Sequence, residues 1–318
     1  MKIRTIVRAA LAVVVLPILL GLIVVAGIRL LDRTNGSIVS SGRTRRYLVH
    51  VPPSYDGVKP TPLVISLHGA AGWPRQQQYL SQWSRLADAQ GFIVVYPAGT
   101  GFPQIWHVFR DAGLRRDVNF ISAMIDTLER TYDIDSTRIY VDGISNGGGM
   151  AFVLSCTLSD RIAAVGLVAA AQTLPWSWCA DHRPMPMIAF HGTADPIIPY
   201  KGGHSPLAPE IFPDVESWVS QWAQRNRCAL TPEDSSVAAD VTRDQYTGCA
   251  DSASVVLYTI RGGGHTWPGG KPLPSILVGP TSNEIDATKE MWKFFRAHRK
   301  VLSGQRAEKM NGIPAHER

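Results

Sequence analysis

Between residues 47 and 300 the chain lacks any surplus of positive charge: 21 Lys and Arg face 23 Asp and Glu, a net of −2. The formal +6 of the whole chain comes from its ends, +7 from residues 1–46 and +1 from residues 301–318. A nucleic-acid footprint on the folded part is therefore not supported. Cysteine is also scarce. Cys156, Cys179, Cys228 and Cys249 form no C-x-x-C pair, so neither a redox motif nor a thiolate zinc site is indicated. No glycine-rich loop leads into a Lys-Ser/Thr helix start, and the glycines at 262–264 follow a strand-like run with no helix after them. No cofactor and no metal are implied. No internal repeat is present, which excludes a solenoid.

What is present is 318 residues at 45% hydrophobic content, enough to bury a sizeable core. Lys2, Arg4 and Arg8 precede an uncharged apolar run, Ala9 to Ile28. Its length exceeds the roughly 7–15 residues of a signal-peptide core and reaches the roughly 20 that span a bilayer. Residues 1–28 therefore read as a signal peptide or a membrane anchor, and 29–43 as a linker. Either role exports the protein, secreted or anchored to the extracellular or periplasmic side, and any membrane contact would run through this segment alone. The cysteines agree. Pairing Cys156 with Cys179 and Cys228 with Cys249 closes two loops of just over twenty residues, each worth roughly 3 kcal/mol. Four buried free thiols are the alternative.

Short runs rich in Val and Ile alternate with helix-like segments. Residues 45–51, 62–68, 92–97, 138–143, 163–170, 187–192 and 254–260 have the near-continuous apolar character of strands buried on both faces. Between them, 117–131 repeats Val118, Ile121, Ile125 and Leu128 on one helical face, with Asp117 as a cap. A last helix is expected over 285–299, with Ile285, Met291, Trp292 and Phe295 as its stripe. This order predicts an α/β fold with a mostly parallel central sheet and helices on both faces. Residues 303–318 are polar and aperiodic and read as a disordered tail.

Within that order, Gly143-Ile144-Ser145-Asn146-Gly147 falls between a strand and a helix. G-x-S-x-G alone is a weak pattern, but in this setting it is a candidate nucleophile elbow, with Ser145 at its tip. A serine hydroxyl needs a base, and the base needs a carboxylate to fix its tautomer. Asp195 follows strand 187–191, and His265 follows strand 254–260 on a glycine-rich loop. The order Ser145, Asp195, His265 is that of the α/β-hydrolase arrangement.

At these residues the chain resembles the exported α/β-hydrolases related to polyhydroxybutyrate depolymerases and feruloyl or acetylxylan esterases. The resemblance covers roughly residues 44–300, and its carriers are LHGAAG (67–72), GFIVVYPAGT (91–100), 117–150, HGTADPIIPY (191–200) and GGGHTWPGG (262–270). It implies one α/β-hydrolase catalytic domain over 44–302, with Ser145 as nucleophile, His265 as general base and then acid, and Asp195 orienting the ring. The cysteines at 228 and 249, flanking a variable insert, also look like the family. Two departures bear on substrate identity: Arg115-Arg116 stand before Asp117 where the family tends to be acidic, and Trp106-His107 replaces the more usual Trp-Asn.

Acyl transfer also needs donors for the oxyanion. The backbone N–H groups of Ala70 and Asn146 are assigned to that hole, with Ala71 a rival to Ala70, while His68 is read as bracing the loop and His191 as a packed histidine. Trp106 and Trp267 are candidate walls of a substrate pocket, each weighed against ordinary burial. The reading is a serine esterase acting on small-molecule or oligomeric carboxylic esters through an acyl-enzyme. The alternatives are a serine peptidase of the same fold and a non-catalytic ligand-binding protein.

Overall fold

The structure, a computed structural model, describes residues 20–22, 24–179, 183–206 and 208–300. Most of the apolar run 9–28, and the tail expected over 303–318, lie outside the described residues. Helix α1 covers 24–31, and among the described residues no helix is long and apolar enough to cross a membrane.

The chain then runs through β1 (Gly36–Ser40), β2 (Arg43–His50), β3 (Thr61–Leu67), α2 (Pro74–Ser81), α3 (Trp83–Gln90), β4 (Ile93–Pro97), α4 (Leu114–Thr131), β5 (Ile134–Ile144) and α5 (Asn146–Thr157). It continues through β6 (Ala164–Val168), β7 (Met187–Gly192), β8 (Gly203–Ser205), β9 (Ala208–Phe212), α6 (Val215–Arg225), β10 (Glu233–Ala238), β11 (Val241–Tyr246), β12 (Val255–Ile260), α7 (Ser275–Val278) and α8 (Ala287–Ala297).

Ten strands make one sheet in the order β1-β2-β4-β3-β5-β6-β7-β12-β11-β10. The six central strands, β4 to β12 in that order, run parallel, while β1 with β2 and β11 with β10 form antiparallel edges. Of the parallel strands, β3, β4, β6 and β7 are buried throughout, as their unbroken apolar runs require. Alternate residues of β3 feed opposite faces. Leu63, Ile65 and Leu67 pack with α4, α5 and α6, while Val64 packs with α3 and α8. All four apolar residues expected on the last helix or just before it, Ile285, Met291, Trp292 and Phe295, are buried.

Three expectations change. Strand β1 lies in the stretch read as a linker, so the folded domain begins before residue 44. Helix α4 starts at Leu114, and its entry is held by Asp111, whose Oδ1 accepts from the N–H groups of Gly113 and Leu114. Asp117 is therefore not a cap. It lies buried inside the first turn, its Oδ1 2.8 Å from Arg45 Nη1 and its Oδ2 accepting the His107 N–H at 2.9 Å. Arg45 also donates to the Ala98 carbonyl at 3.2 Å, and its guanidinium sits 4.0 Å over the Phe120 ring.

Removing one member of a buried, hydrogen-bonded pair leaves the other charge without compensation, a loss of about 3–5 kcal/mol. Asp117→Ala is expected to lower the unfolding free energy by about that amount in urea titration. A change indistinguishable from zero would mean that water reaches Arg45 in the folded state.

Candidate active site

The end of β5 and the start of α5 meet at Ser145, with φ 55° and ψ −123°. A non-glycine residue there is strained, on the order of 1–3 kcal/mol, and persists only where its surroundings dictate it. Here they do. The Ser145 N–H donates to the Val168 carbonyl at 2.9 Å, and its own carbonyl accepts from Gly149 N–H at 2.9 Å, starting the helix. A Cβ on Gly143 would overlap the backbone of Gly147, and one on Gly147 would overlap the Leu67 and His68 carbonyls. The flanking glycines let the turn close against β3.

Asp195, after β7, is almost fully enclosed, with polar partners on both carboxylate oxygens. Its Oδ1 accepts from the N–H groups of Ile197 at 2.8 Å and Ile198 at 2.9 Å. Its Oδ2 lies 2.8 Å from His265 Nδ1 and 3.4 Å from His191 Nε2. Burial by itself would raise this carboxyl, but the hydrogen bonds and charges of His191 and His265 outweigh it and hold Asp195 well below the ordinary carboxylate range. An ionised Asp195 fixes the His265 proton on Nδ1 and leaves Nε2 with a free lone pair. The His265 N–H donates to the Val278 carbonyl at 2.6 Å, tying its loop to α7. His191 is a packed histidine whose Nε2 donates to the Ile198 carbonyl at 2.9 Å.

Ser145, His265 and Ala70 share the wall of one cavity of about 160 Å³, together with Gln77, Leu80, Leu273 and Val278. A second, largely apolar cavity of about 280 Å³ adjoins it at Ser145 and Ala70. Its wall includes Trp106, Val108, Phe109, Ile197, Ile198 and Phe212. In the loop after β3, Ala71 N–H is committed to the Gln104 carbonyl at 2.8 Å, while Ala70 borders both cavities. Asn146 is the first residue of α5, so its N–H has no preceding helical turn to bond. His68 braces this loop. The Gly99 N–H donates to Nε2 at 3.0 Å, so the proton sits on Nδ1 and is donated to the Gly69 carbonyl at 2.7 Å. Burial lowers His68 to about 4, in keeping with that neutral ring.

The two tryptophans part company. Trp106 lines the larger cavity, but its indole is nearly all enclosed and donates to the His68 carbonyl at 3.1 Å. Trp267 is not a pocket residue. It is packed in the core beside α3 and α8, its Nε1 donating to Thr288 Oγ1 at 2.9 Å. The sequence reading missed two contributors. The β8–β9 hairpin supplies Ser205, Pro209, Glu210 and Phe212 to the larger cavity. The Asn146 side chain clamps Trp106, accepting its N–H at 2.7 Å and donating to its carbonyl at 3.0 Å. Among the described residues no cluster of His, Cys, Asp and Glu could hold a metal ion. Both cysteine pairs are bonded, Cys156 to Cys179 and Cys228 to Cys249.

A strained serine after a central parallel strand, with a carboxylate-held histidine on the same cavity, is the architecture of an α/β-hydrolase. The family described as Esterase PHB depolymerase matches residues 45–173. Feruloyl esterase B of Piromyces equi is 32% identical over 235 residues, which is 71% of this chain but only 44% of that protein, so the chain spans less than half of that relative's length. Feruloyl esterase C of Emericella nidulans is 28% identical over 275 residues, 83% of this chain and 87% of that protein. Among solved structures, an acetyl xylan esterase from Aspergillus awamori superposes with a TM-score of 0.56 at 18% identity, covering 79% of this chain and 94% of that one, which speaks to the fold alone. By these comparisons the chain is similar to esterases related to polyhydroxybutyrate depolymerases and feruloyl esterases.

Beneath the elbow, Asp142 on β5 is wholly buried, its Oδ1 accepting from Ser66 Oγ at 2.7 Å and its Oδ2 without a hydrogen-bond partner among the described residues. Burial raises it to about 8. The folded protein thus keeps a proton that the unfolded chain releases near pH 4, so stability falls as pH rises from about 4 to about 8. Asp142→Asn has no such proton to lose. Its stability relative to wild type is expected to climb between pH 5 and pH 8 in urea titrations, and a difference independent of pH would show Asp142 to be ionised throughout.

Proposed function

We propose that the protein is a serine esterase that hydrolyses carboxylic esters through an acyl-Ser145 intermediate. The observation that carries this reading is the 2.8 Å bond from His265 to an Asp195 carboxylate already held by backbone donors, on the cavity that Ser145 also lines. Ser145 Oγ attacks the acyl carbon while His265 Nε2 takes its proton, and Asp195 stabilises the imidazolium without being protonated. The carbonyl oxygen becomes an oxyanion held by the N–H groups of Ala70 and Asn146. When the tetrahedral intermediate collapses, His265 returns the proton to the departing alcohol oxygen. Water then enters, His265 takes its proton, hydroxide adds to the acyl carbon, and the acid leaves as Ser145 regains its hydrogen.

The larger cavity supports an apolar acyl group of modest size, aromatic or short aliphatic, because its wall is Trp106, Val108, Phe109 and Phe212. Relatives named as feruloyl and acetylxylan esterases support acyl groups carried on polysaccharide or on soluble oligomers as the substrate class. The two disulfides support export to an oxidising compartment.

The test is a p-nitrophenyl ester series from acetate to octanoate, with methyl ferulate alongside. Ser145→Ala is expected to lower kcat by about 10⁶ and Asp195→Asn by about 10⁴, the latter through loss of the imidazole tautomer. Folded variants that retain wild-type rates would remove Ser145 from the chemistry, and a folded wild type inert on every ester would sink the esterase reading.

A further inference from the structure

Large apolar side chains are exposed on three segments that also supply residues to the walls of the two cavities. On the oxyanion side, Phe102 is 78% exposed and Ile105 is also open, in the loop whose Gln104 carbonyl holds Ala71. On the histidine side, Ile276 is 92% exposed and Leu277 accompanies it, on the α7 turn whose Val278 carbonyl binds the His265 N–H and whose Val278 side lines the smaller cavity. Over the larger cavity, exposed Ile211 stands in β9 between Glu210 and Phe212, both of which line it. Exposed apolar residues scattered singly need no explanation, but a group on the segments that wall one site does.

The chain itself indicates what covers this rim. Asp32, just after α1, accepts from Gln104 Nε2 at 2.9 Å and pairs with Arg46 at 2.6 Å. The end of the N-terminal segment is therefore fastened to the same loop that presents Phe102 and Ile105. The apolar run ends at Ile28, whose carbonyl accepts the Asp32 N–H. At a rise of about 1.5 Å per residue, that end lies about 6 Å along the helix from Asp32. Val24, Val25 and Leu30 on α1 are exposed, and so are the arginines at 29 and 33.

We infer that the mouth of the active site docks on a lipid bilayer, on the side where the exposed helix α1 is fastened to it. Phe102, Ile105, Ile211, Ile276 and Leu277 seat in the outer acyl region, and Arg29 and Arg33 meet head-group phosphates. An ester dissolved in the lipid phase then reaches Ser145 without crossing water. This consequence rests on the esterase reading, whereas the docking itself does not.

Two measurements on the full chain separate these parts. The first places an environment-sensitive bimane at Ile276→Cys and, as a control, at Val58→Cys, an exposed site preceding the amino end of β3. Vesicles of phosphatidylcholine and phosphatidylglycerol with brominated acyl chains are expected to quench position 276 and leave position 58 unchanged. Bound protein with no quenching at 276 would overturn the proposal, whatever the protein's activity, and so would a failure to bind the vesicles. The second compares 4-nitrophenyl palmitate dissolved in vesicles and suspended hydroxybutyrate polymer with 4-nitrophenyl acetate in water, for wild type and the triple variant Phe102→Ser, Ile276→Ser, Leu277→Ser. Vesicle turnover is expected to fall by about tenfold or more with acetate turnover unchanged. Equal losses on both substrates would overturn it, and losses confined to suspended hydroxybutyrate polymer would assign the rim to a solid polyester instead. If no ester is turned over, the esterase reading fails and the quenching result alone decides the docking.

Discussion

Ser145 occupies a backbone conformation that a lone serine in a turn would leave at once, and much of the neighbouring structure is arranged to prevent this. Its amide is taken by β6 and its carbonyl begins α5, so neither peptide can rotate without breaking a ladder or a helix. The neighbouring Asn146 grips both backbone groups of Trp106, and Trp106 in turn donates to the carbonyl of His68 in the loop after β3. Three segments far apart in sequence, 68–72, 104–107 and 145–149, are thereby locked to one another within hydrogen-bonding distance. An oxyanion hole needs this rigidity, since its donors act only if they do not have to reorganise as charge develops.

Three buried carboxylates near this framework show how surroundings alone divide one chemical group into different tasks. Asp117 meets a guanidinium and an amide, and it pins α4 to β2 and to the loop that carries Trp106. Asp142 has only the Ser66 hydroxyl on one oxygen, and burial then keeps its proton on. Asp195 has two backbone amides and two histidines, and these keep the charge in place despite burial. Only the last can hold an imidazole in one tautomer and steady it once it is protonated, so the number of donors, more than depth, separates a structural acid from one fit for catalysis.

The parallel core was legible because strands buried on both faces announce themselves as unbroken apolar runs, and six of the seven runs read that way fall on its strands, whereas 45–51 falls on β2, which pairs antiparallel on both sides and is partly exposed. The edges were not. β10, Glu-Asp-Ser-Ser-Val-Ala, has almost no buried residue, and only its pairing with β11 makes it a strand. The β8–β9 hairpin has the same character, and with it went part of the larger cavity's wall. Asp117 before an apolar periodic stretch looks like a cap, and nothing local reveals that Arg45, 72 residues earlier, will claim it. Trp267 follows His265 by two positions, but adjacency in a loop does not fix direction, and its indole turns into the core to reach Thr288. The positions of Ser145, Asp195 and His265 were readable because each follows a strand of the parallel core.

The covalent crosslinks complete the logic of a strained site. Helix α5 starts at Asn146 beside Ser145, and Cys156, about 15 Å further along it, is bonded to Cys179 in the β6–β7 connection. The second bond joins Cys228, after α6, to Cys249, after β11, at the antiparallel edge. Each closes a loop of the size for which roughly 3 kcal/mol is removed from the unfolded ensemble. Neither lies among the residues that wall the cavities at Ser145. Stabilisation placed there offsets the strain of the elbow without constraining the loops that must admit substrate and water. A crosslink in the 262–270 loop or the β8–β9 hairpin would supply the same entropy but would fix the walls of the site itself.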